Sequence, residues 1–144
     1  MKIFDKISIL LICFFICVNS YADNMNAHRT EKLFESYQSK HYKDFHQVLS
    51  KMNFREEEIP ILYCISFLES NFDNRSFNWN SNGSFDIGLF QINSIWKKKC
   101  KGNLFELENS IPCVRKILTL QGFKAWFAYR EHKEVCDAFG TVKF

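Results

Sequence analysis

Two carboxylic acids, Glu69 and Asp86, lie in sequence surroundings of opposite character. Glu69 comes at the end of residues 61–70, a segment that is apolar on nearly every helical face and therefore predicts a buried helix. Asp86 follows a stretch rich in Asn, Ser and Gly. Burial raises the pKa of a carboxyl group, whereas hydrogen bonds from polar neighbours keep a carboxylate ionised. A protonated acid and a carboxylate are the two groups needed to cleave a glycosidic bond.

In that chemistry the acid would protonate the leaving oxygen, and the carboxylate would stabilise or bond to the cationic sugar centre. Each residue also has a simpler interpretation. A single glutamate at a helix end is commonly a solvated surface residue, and an aspartate after Gly-Ser commonly serves a turn.

The elements that position the two acids are predicted from hydrophobic spacing and turn signals. Asn82-Gly83 is a strong hairpin signal, and Pro60 is tolerated only near a helix start. Beyond residue 129 the chain is short and polar. The expected class is α+β, a mainly helical lobe with a small inserted antiparallel hairpin subdomain and a cleft between them. The predicted elements are a helix over residues 30–39, a short turn over 42–49, a helix from Glu57 or Glu58 to Ser70, strands over 77–80 and 85–90, a loop over 102–110, a helix over 112–120 and a helical segment over 125–129.

The first 22 residues predict a signal peptide and not a part of the fold. Lys2 and Lys6 give a positive start, residues 7–18 are apolar, and Ser20 and Ala22 are small residues at the positions that a signal peptidase reads. The alternative is an uncleaved anchor, but the apolar run is too short to span a bilayer. We therefore expect cleavage after Ala22, one domain over residues 23–144, a secreted extracellular protein and no stable membrane insertion.

Cleavage would change the charge and the cysteine count. Loss of two lysines and one aspartate lowers the formal charge from +3 to +2, which is weakly basic. Cys13 and Cys17 also leave, so four of the six cysteines remain. An even number in a short secreted chain indicates disulfides, with three pairings open. No Cys or His spacing fits a zinc site, so no metal is expected. The lysines of residues 97–101 are either a solvated loop or an attraction for anionic cell-wall polymer.

Three segments of the sequence resemble one known family. Residues 64–72 (CISFLESNF) are similar to the helix end that carries the catalytic acid in C-type lysozymes. Residues 78–94 (NWNSNGSFDIGLFQINS) resemble the hairpin and catalytic aspartate segment of that family, and Ala125-Trp126 resembles its Ala-Trp element. The seventeen-residue gap from Glu69 to Asp86 fits the family spacing. The resemblance implies a lysozyme-like fold.

The resemblance also implies a role for each matching residue. Glu69 would be the general acid and then the general base for water, and Asp86 the nucleophile or electrostatic stabiliser. The implied binding residues are Asn80 and Asn93 beside the aspartate and the sugar, Gln91 near the acid, Trp96 as an aromatic sugar platform, Ala125, and Trp126 as the apolar wall beside Glu69. The alternative for both tryptophans is an ordinary place in the core, which is the commoner use of such residues.

The sequence departs from the family in its cysteines. The family usually has eight, and the mature chain would have four. The family pattern implies a Cys64–Cys136 bridge, and the simplest hypothesis for Cys100 and Cys113, which both lack their usual partners, is that they pair with each other. The loop between them is too short for the calcium loop of α-lactalbumin-like relatives, so no calcium or other cofactor is expected.

Two main functions remain open. One is a monomeric glycosidase (muramidase) that cleaves β-1,4-linked amino-sugar polymer, with peptidoglycan or chito-oligosaccharide as substrate and no nucleic-acid partner. The other is a non-catalytic module that binds a sugar or a protein partner in the same cleft. A third reading, a regulatory subunit like α-lactalbumin, is disfavoured because both carboxylates are present.

Overall fold

The computed structural model describes residues 28–29, 31–33 and 40–141. Residues 28–29 and 31–33 are helical and belong to the compact unit Met1–Tyr37. The predicted signal peptide and most of the helix predicted over residues 30–39 lie outside the described residues. All other elements belong to the second unit, Gln38–Phe144.

The second unit contains helices at both ends and a small sheet between them. None of the described helices has the length and apolar character that a membrane crossing requires. The elements in chain order are helices α1 (Lys40–Lys51) and α2 (Glu58–Ser70), strands β1 (Phe77–Trp79), β2 (Phe85–Ile87) and β3 (Ile92–Asn93), a 3₁₀ turn (Ser94–Trp96), helix α3 (Leu107–Gln121), a second 3₁₀ turn (Phe123–Ala125), and helices α4 (Phe127–Glu131) and α5 (Lys133–Gly140).

Helix α2 is the centre of the core. It is apolar on most faces, and it packs against α1 and α5. Tyr63, fully buried in α2, stacks on Phe139 of α5 at a ring distance of 5.8 Å and meets Tyr42 of α1 edge-on at 4.8 Å. The neighbouring Cys64 forms a disulfide with Cys136 of α5, with Cα atoms 5.5 Å apart. These contacts fix the direction of α2 and hence the position of its C-terminal end.

The three strands form one antiparallel sheet in the order β1-β2-β3. The register pairs Asn78 with Asp86 and Asp86 with Asn93, so these three side chains lie on the same face. Trp79 pairs with Phe85, and both belong to the opposite face. The sheet therefore has one polar face and one aromatic face.

Strand β2 is shorter than the sequence predicted, and a third strand follows it. The expected strand over residues 85–90 ends at Ile87, because Gly88 takes a φ of +72° and begins a turn. A side chain at Gly88 would meet the carbonyl oxygen of Leu104 at 2.7 Å, so this close approach requires glycine. The turn returns the chain as β3, which the sequence analysis did not predict.

Three helical predictions also needed correction. Residues 40–51 form a helix of 12 residues and not a short turn over 42–49. Helix α3 begins at Leu107, inside the predicted loop, so Pro112 lies within the helix and does not open it. Helix α5 occupies the part of the chain that was predicted to be short and polar. In each case the packing of a few apolar side chains stabilises a helix that the local sequence propensities alone do not predict.

Candidate active site

Glu69 lies in the last turn of α2, where the helix leaves the core. Asn71, in the left-handed conformation at φ 53°, ends the helix and bonds back to the carbonyl of Phe67. The half-buried Glu69 accepts a hydrogen bond at Oε1 from the backbone N–H of Ala128, at 3.0 Å. The Glu69 side chain is thereby held between α2 and α4.

The pKa of Glu69 is raised above its ordinary value, chiefly because burial disfavours the charged carboxylate. The hydrogen bond from Ala128 lowers this pKa, the negative charge of Asp86 raises it, and the positive charge of Arg130 lowers it. Burial and Asp86 outweigh the two opposing contributions. Glu69 therefore retains a proton at a higher pH than a solvated glutamate does.

Asp86 is held by two asparagine side chains on the polar face of the sheet. Its Oδ2 accepts a hydrogen bond from Asn80 Nδ2 at 2.9 Å, and its Oδ1 accepts one from Asn93 Nδ2 at 2.7 Å. Both amide groups also donate to Ser84 Oγ, at 3.1 and 3.0 Å. The network fixes the orientation of both carboxylate oxygens, and it favours Asp86 as a hydrogen-bond acceptor. Ser84 is a member of this network that the sequence analysis did not single out.

Gln91 is buried, and the polar atoms of its side chain form hydrogen bonds within the protein. Its Nε2 donates to the carbonyls of Gly88 and Ser76, at 2.8 and 3.2 Å, and its Oε1 accepts a hydrogen bond from Asn78 at 2.6 Å. The backbone of Gln91 is left-handed, with φ 44°. This side chain braces the turn between β2 and β3, and so it positions the strand that carries Asp86.

The aromatic residues of the site differ in exposure. Trp126 is only 4% exposed, and its indole N–H donates to the carbonyl of Phe90 at 2.8 Å. Trp96, expected as a sugar platform, is only 8% exposed, so little of its ring is accessible to a ligand. Phe127 is 64% exposed and borders the same cleft. The sequence analysis missed Phe127. Its neighbours Trp126 and Ala128 are buried, and only the start of α4 at Phe127 shows that the ring between them points outward.

A cleft of about 400 Å³ brings all the predicted site residues together. Its walls are the end of α2, the polar face of the sheet and the segment around α4. The eight predicted residues on its wall are Glu69, Asn80, Asp86, Gln91, Asn93, Trp96, Ala125 and Trp126. The lining residues that the sequence analysis did not assign to the site are Ser81, Asn82, Ser84, Ile92, Ile117, Phe127 and Arg130.

Known proteins resemble this chain over most of their length. Lysozyme C of Equus asinus is 34% identical over 85 residues, which cover 48% of this chain and 66% of that protein. Lysozyme C of Ortalis vetula is 31% identical over 107 residues, which cover 63% of this chain and 83% of that protein. The chain belongs to the C-type lysozyme family. No protein-family model matches it.

Solved lysozyme structures share the fold of this family member. The crystal structure of lysozyme from Equus asinus matches with a TM-score of 0.52 at 29% identity, over 61% of this chain and 83% of that one. Apo canine milk lysozyme matches with a TM-score of 0.53 at 28% identity, over 62% of this chain and 84% of that one. The expected α+β lysozyme fold is confirmed.

This lysozyme-family chain has two disulfides in its described part. Besides Cys64–Cys136, the structure joins Cys100 to Cys113, with Cα atoms 5.3 Å apart. The second bridge ties the segment after the 3₁₀ turn to α3, and Lys116 Nζ reinforces it by donating to the carbonyl of Lys99 at 2.8 Å. Within residues 40–141 and the short helical piece before them, no group of three or more His, Cys, Asp or Glu could hold a metal ion.

Proposed function

We propose that this protein is a secreted glycoside hydrolase that cleaves β-1,4-linked amino-sugar polymer, with bacterial peptidoglycan as its substrate. The observation that carries the proposal is the pairing, in one cleft, of a half-buried Glu69 of raised pKa with an Asp86 held by two amides. Membership of the lysozyme family supports the same reaction class.

In this proposal Glu69 is the general acid. Because its pKa is raised, Glu69 retains a proton to a higher pH than a solvated glutamate does, and it donates that proton to the glycosidic oxygen as the bond to the sugar breaks. The carboxylate so formed then accepts a proton from the attacking water. The raised pKa that serves the first step also makes Glu69 an effective base in the second.

Asp86 is the carboxylate that faces the developing positive charge on the sugar. Asn80 and Asn93 hold its oxygens in fixed positions, so little reorganisation is needed as the charge appears. Ser84 and Gln91 act as positioning residues. Ser84 accepts hydrogen bonds from Asn80 and Asn93, and Gln91 bonds to the turn between β2 and β3.

Secretion is part of the same proposal. The N-terminal segment has the features of a cleaved signal, and two disulfides are stable in the oxidising environment outside the cell. Mass spectrometry of protein recovered from the medium of expressing cells tests this. An N terminus at Asp23 is expected, and retention of the full-length chain in cell membranes would contradict it.

The test of the reaction uses two variants that change only a carboxyl group to an amide. Glu69→Gln should abolish clearing of bacterial cell walls by the disulfide-bonded protein, because an amide cannot donate the required proton. Glu134→Gln, on the exposed surface of α5, is the matched control and should clear walls as the wild type does. Folding of all three proteins is verified by their melting temperatures.

The non-catalytic alternative gives a different result in the same experiment. If wild-type protein is folded and binds chito-oligosaccharide but releases no reducing ends, the protein is a sugar-binding module and the proposed hydrolysis is wrong. If Glu69→Gln clears walls as well as wild type, Glu69 is not the acid.

A further inference from the structure

The sheet face that points away from the catalytic cleft carries three packed aromatic rings. Phe77, Trp79 and Phe85 lie on this face, opposite to Asp86 and its asparagine partners. Their ring centroids are 5.6 Å apart for Phe77 and Trp79, and 5.2 Å apart for each pair that includes Phe85. Trp79 is 70% exposed and Phe77 is 42% exposed. We call these three residues the aromatic face.

A groove continues the aromatic face toward the loop before α3. Its volume is about 550 Å³, and its walls include Phe77, Phe85 and Phe105. Asn103 is one of the few polar residues there, and its amide is already engaged, since it donates to Glu106 and accepts from the N–H of Phe105. A sugar would need several free polar partners to be held in such a site. The groove therefore suits an apolar ligand better than a carbohydrate.

Lys97 borders both the aromatic face and the groove. Lys97 Nζ lies 4.7 Å from the centre of the Phe85 ring. Lys98, Lys99 and Lys101 follow closely in the chain, and all four lysines are exposed. In the described part of the chain no ion pair involves any of the four. Their positive charge is thus available to an anionic partner.

Exposed aromatic rings beside lysines that form no ion pair with the described residues have the chemistry of a membrane-surface site. Trp and Phe side chains favour the boundary between headgroups and acyl chains, and each lysine near the surface is attracted by anionic lipid. We propose that the aromatic face and Lys97, Lys98, Lys99 and Lys101 form a docking surface for a bilayer that contains anionic phospholipid. Binding is reversible and peripheral, and it leaves the cleft on the opposite sheet face open.

The test measures binding of the processed, disulfide-bonded protein from expressing cells to lipid vesicles. Vesicles of equal parts phosphatidylglycerol and phosphatidylcholine are compared with vesicles of phosphatidylcholine alone. We expect at least about tenfold stronger binding to the anionic vesicles, decreasing with added salt. Trp79 provides the signal, because Trp96 and Trp126 are only 8% and 4% exposed. Its fluorescence should shift to shorter wavelength on binding.

Two variants and two matched controls locate the surface. Trp79→Ala and the double variant Lys97→Gln/Lys98→Gln should each weaken binding to anionic vesicles by about tenfold. Leu120→Ala removes another exposed apolar side chain, from α3 (61% exposed), and Lys43→Gln/Lys51→Gln removes two exposed lysines from α1. Each control should change the binding by less than about twofold.

Three results would overturn this docking surface. One is the absence of binding to anionic vesicles. A second is binding that depends on the lysines while Trp79→Ala changes nothing, which would indicate electrostatic adsorption of the lysines alone, without contact between the aromatic face and the bilayer. A third is self-association that Trp79→Ala abolishes, which would indicate a second copy of the chain. Glu69→Gln should bind vesicles as the wild type does, so failure of the proposed hydrolysis would leave this measurement unaffected.

Discussion

Glu69 has two charged neighbours, Asp86 and Arg130, whose effects on its pKa can be separated by mutation. Burial sets the direction of its pKa shift, Asp86 acts in the same sense, and Arg130 opposes both. Arg130 is exposed and lines the cleft, so its charge can be removed without disturbing the core. Its guanidinium donates only to the carbonyl of Lys124, at 2.7 Å, among the hydrogen bonds of the described residues.

We predict that Arg130→Gln moves the alkaline limb of the pH–activity profile to higher pH. In the proposed mechanism, activity requires protonated Glu69 and is lost as the pH rises through the pKa of this group. Arg130 lowers that pKa, so its removal raises it and extends the active range upward. The measurement is kcat/KM against pH at constant ionic strength, with Lys43→Gln as the control for net charge. A shift toward lower pH would contradict the assignment.

A second prediction concerns the exposed ring of Phe127 as a contact for the sugar. Its ring is 64% exposed in the cleft, where Trp96 offers little surface. We expect Phe127→Ala to raise KM for chito-oligosaccharide by about fivefold. This factor corresponds to the loss of one aromatic contact with the sugar, worth about 1 kcal/mol of binding free energy. The value of kcat should change little if the ring binds ground state and transition state alike. Leu120→Ala is the control, and an unchanged KM would exclude Phe127 as a platform.

Among the elements, the start of α2 is fixed by a buried charge. Glu58 is 4% exposed, and its carboxylate bonds to Arg55 and to Arg115 of α3. Burial alone would raise the pKa of Glu58, but hydrogen bonds from the Arg55 backbone and the two guanidinium groups outweigh it and lower the pKa. Arg115 also donates to the carbonyl of Asn53 at 2.7 Å. The cluster thus joins the loop between α1 and α2 to α3.

Arg115→Met is predicted to lower the free energy of unfolding at neutral pH by about 3 kcal/mol, since it leaves a buried carboxylate with one partner fewer. Because the pKa of Glu58 is lowered in the folded state, the stabilisation is present above the ordinary glutamate pKa and is lost as the pH falls through the folded value. Urea unfolding at neutral and acid pH measures this. If the free energies of unfolding of Arg115→Met and wild type differ as much at acid pH as at neutral pH, the prediction is wrong. Lys43→Met is the control.

Some elements could be predicted from the sequence because their signals are local. Helix α2 has a continuous apolar run, the hairpin has Asn82-Gly83 at its turn, and Glu69 and Asp86 each lie in a long motif. Helix α5 was not predicted, because it has only eight residues and depends on the full burial of Cys136 and Phe139 against α2. The limited exposure of Trp96 is also a property of packing, which no spacing in the sequence expresses.

At the scale of the whole molecule, the two disulfides constrain the unfolded chain by different amounts. Cys64–Cys136 spans 72 residues and Cys100–Cys113 spans 13. A chain-entropy estimate gives stabilisation of about 4 kcal/mol for the longer loop and about 3 kcal/mol for the shorter one. The longer bridge joins two core helices, and the shorter one borders the lysine-rich segment.

We therefore predict that the double variant Cys64→Ala/Cys136→Ala loses more stability than Cys100→Ala/Cys113→Ala. The loss of the core bridge adds a cavity cost, because both of its cysteines are fully buried. Chemical denaturation of the two variants and of wild type measures the difference. Peptide mapping of the unreduced protein provides the control for pairing, and a Cys64–Cys100 peptide would contradict both the structure and this prediction.

The register of the hairpin has a consequence for how this protein can change over generations. Neighbouring codons in β1 and β2 alternate between the cleft and the aromatic face, so Asp86 lies between Phe85 and Ile87 in the gene. No deletion, exon exchange or truncation can remove one face and keep the other, because a shift by a single residue would exchange them. The two faces therefore stay together in the sequence, and either one alone can be altered only by substitutions at every second residue.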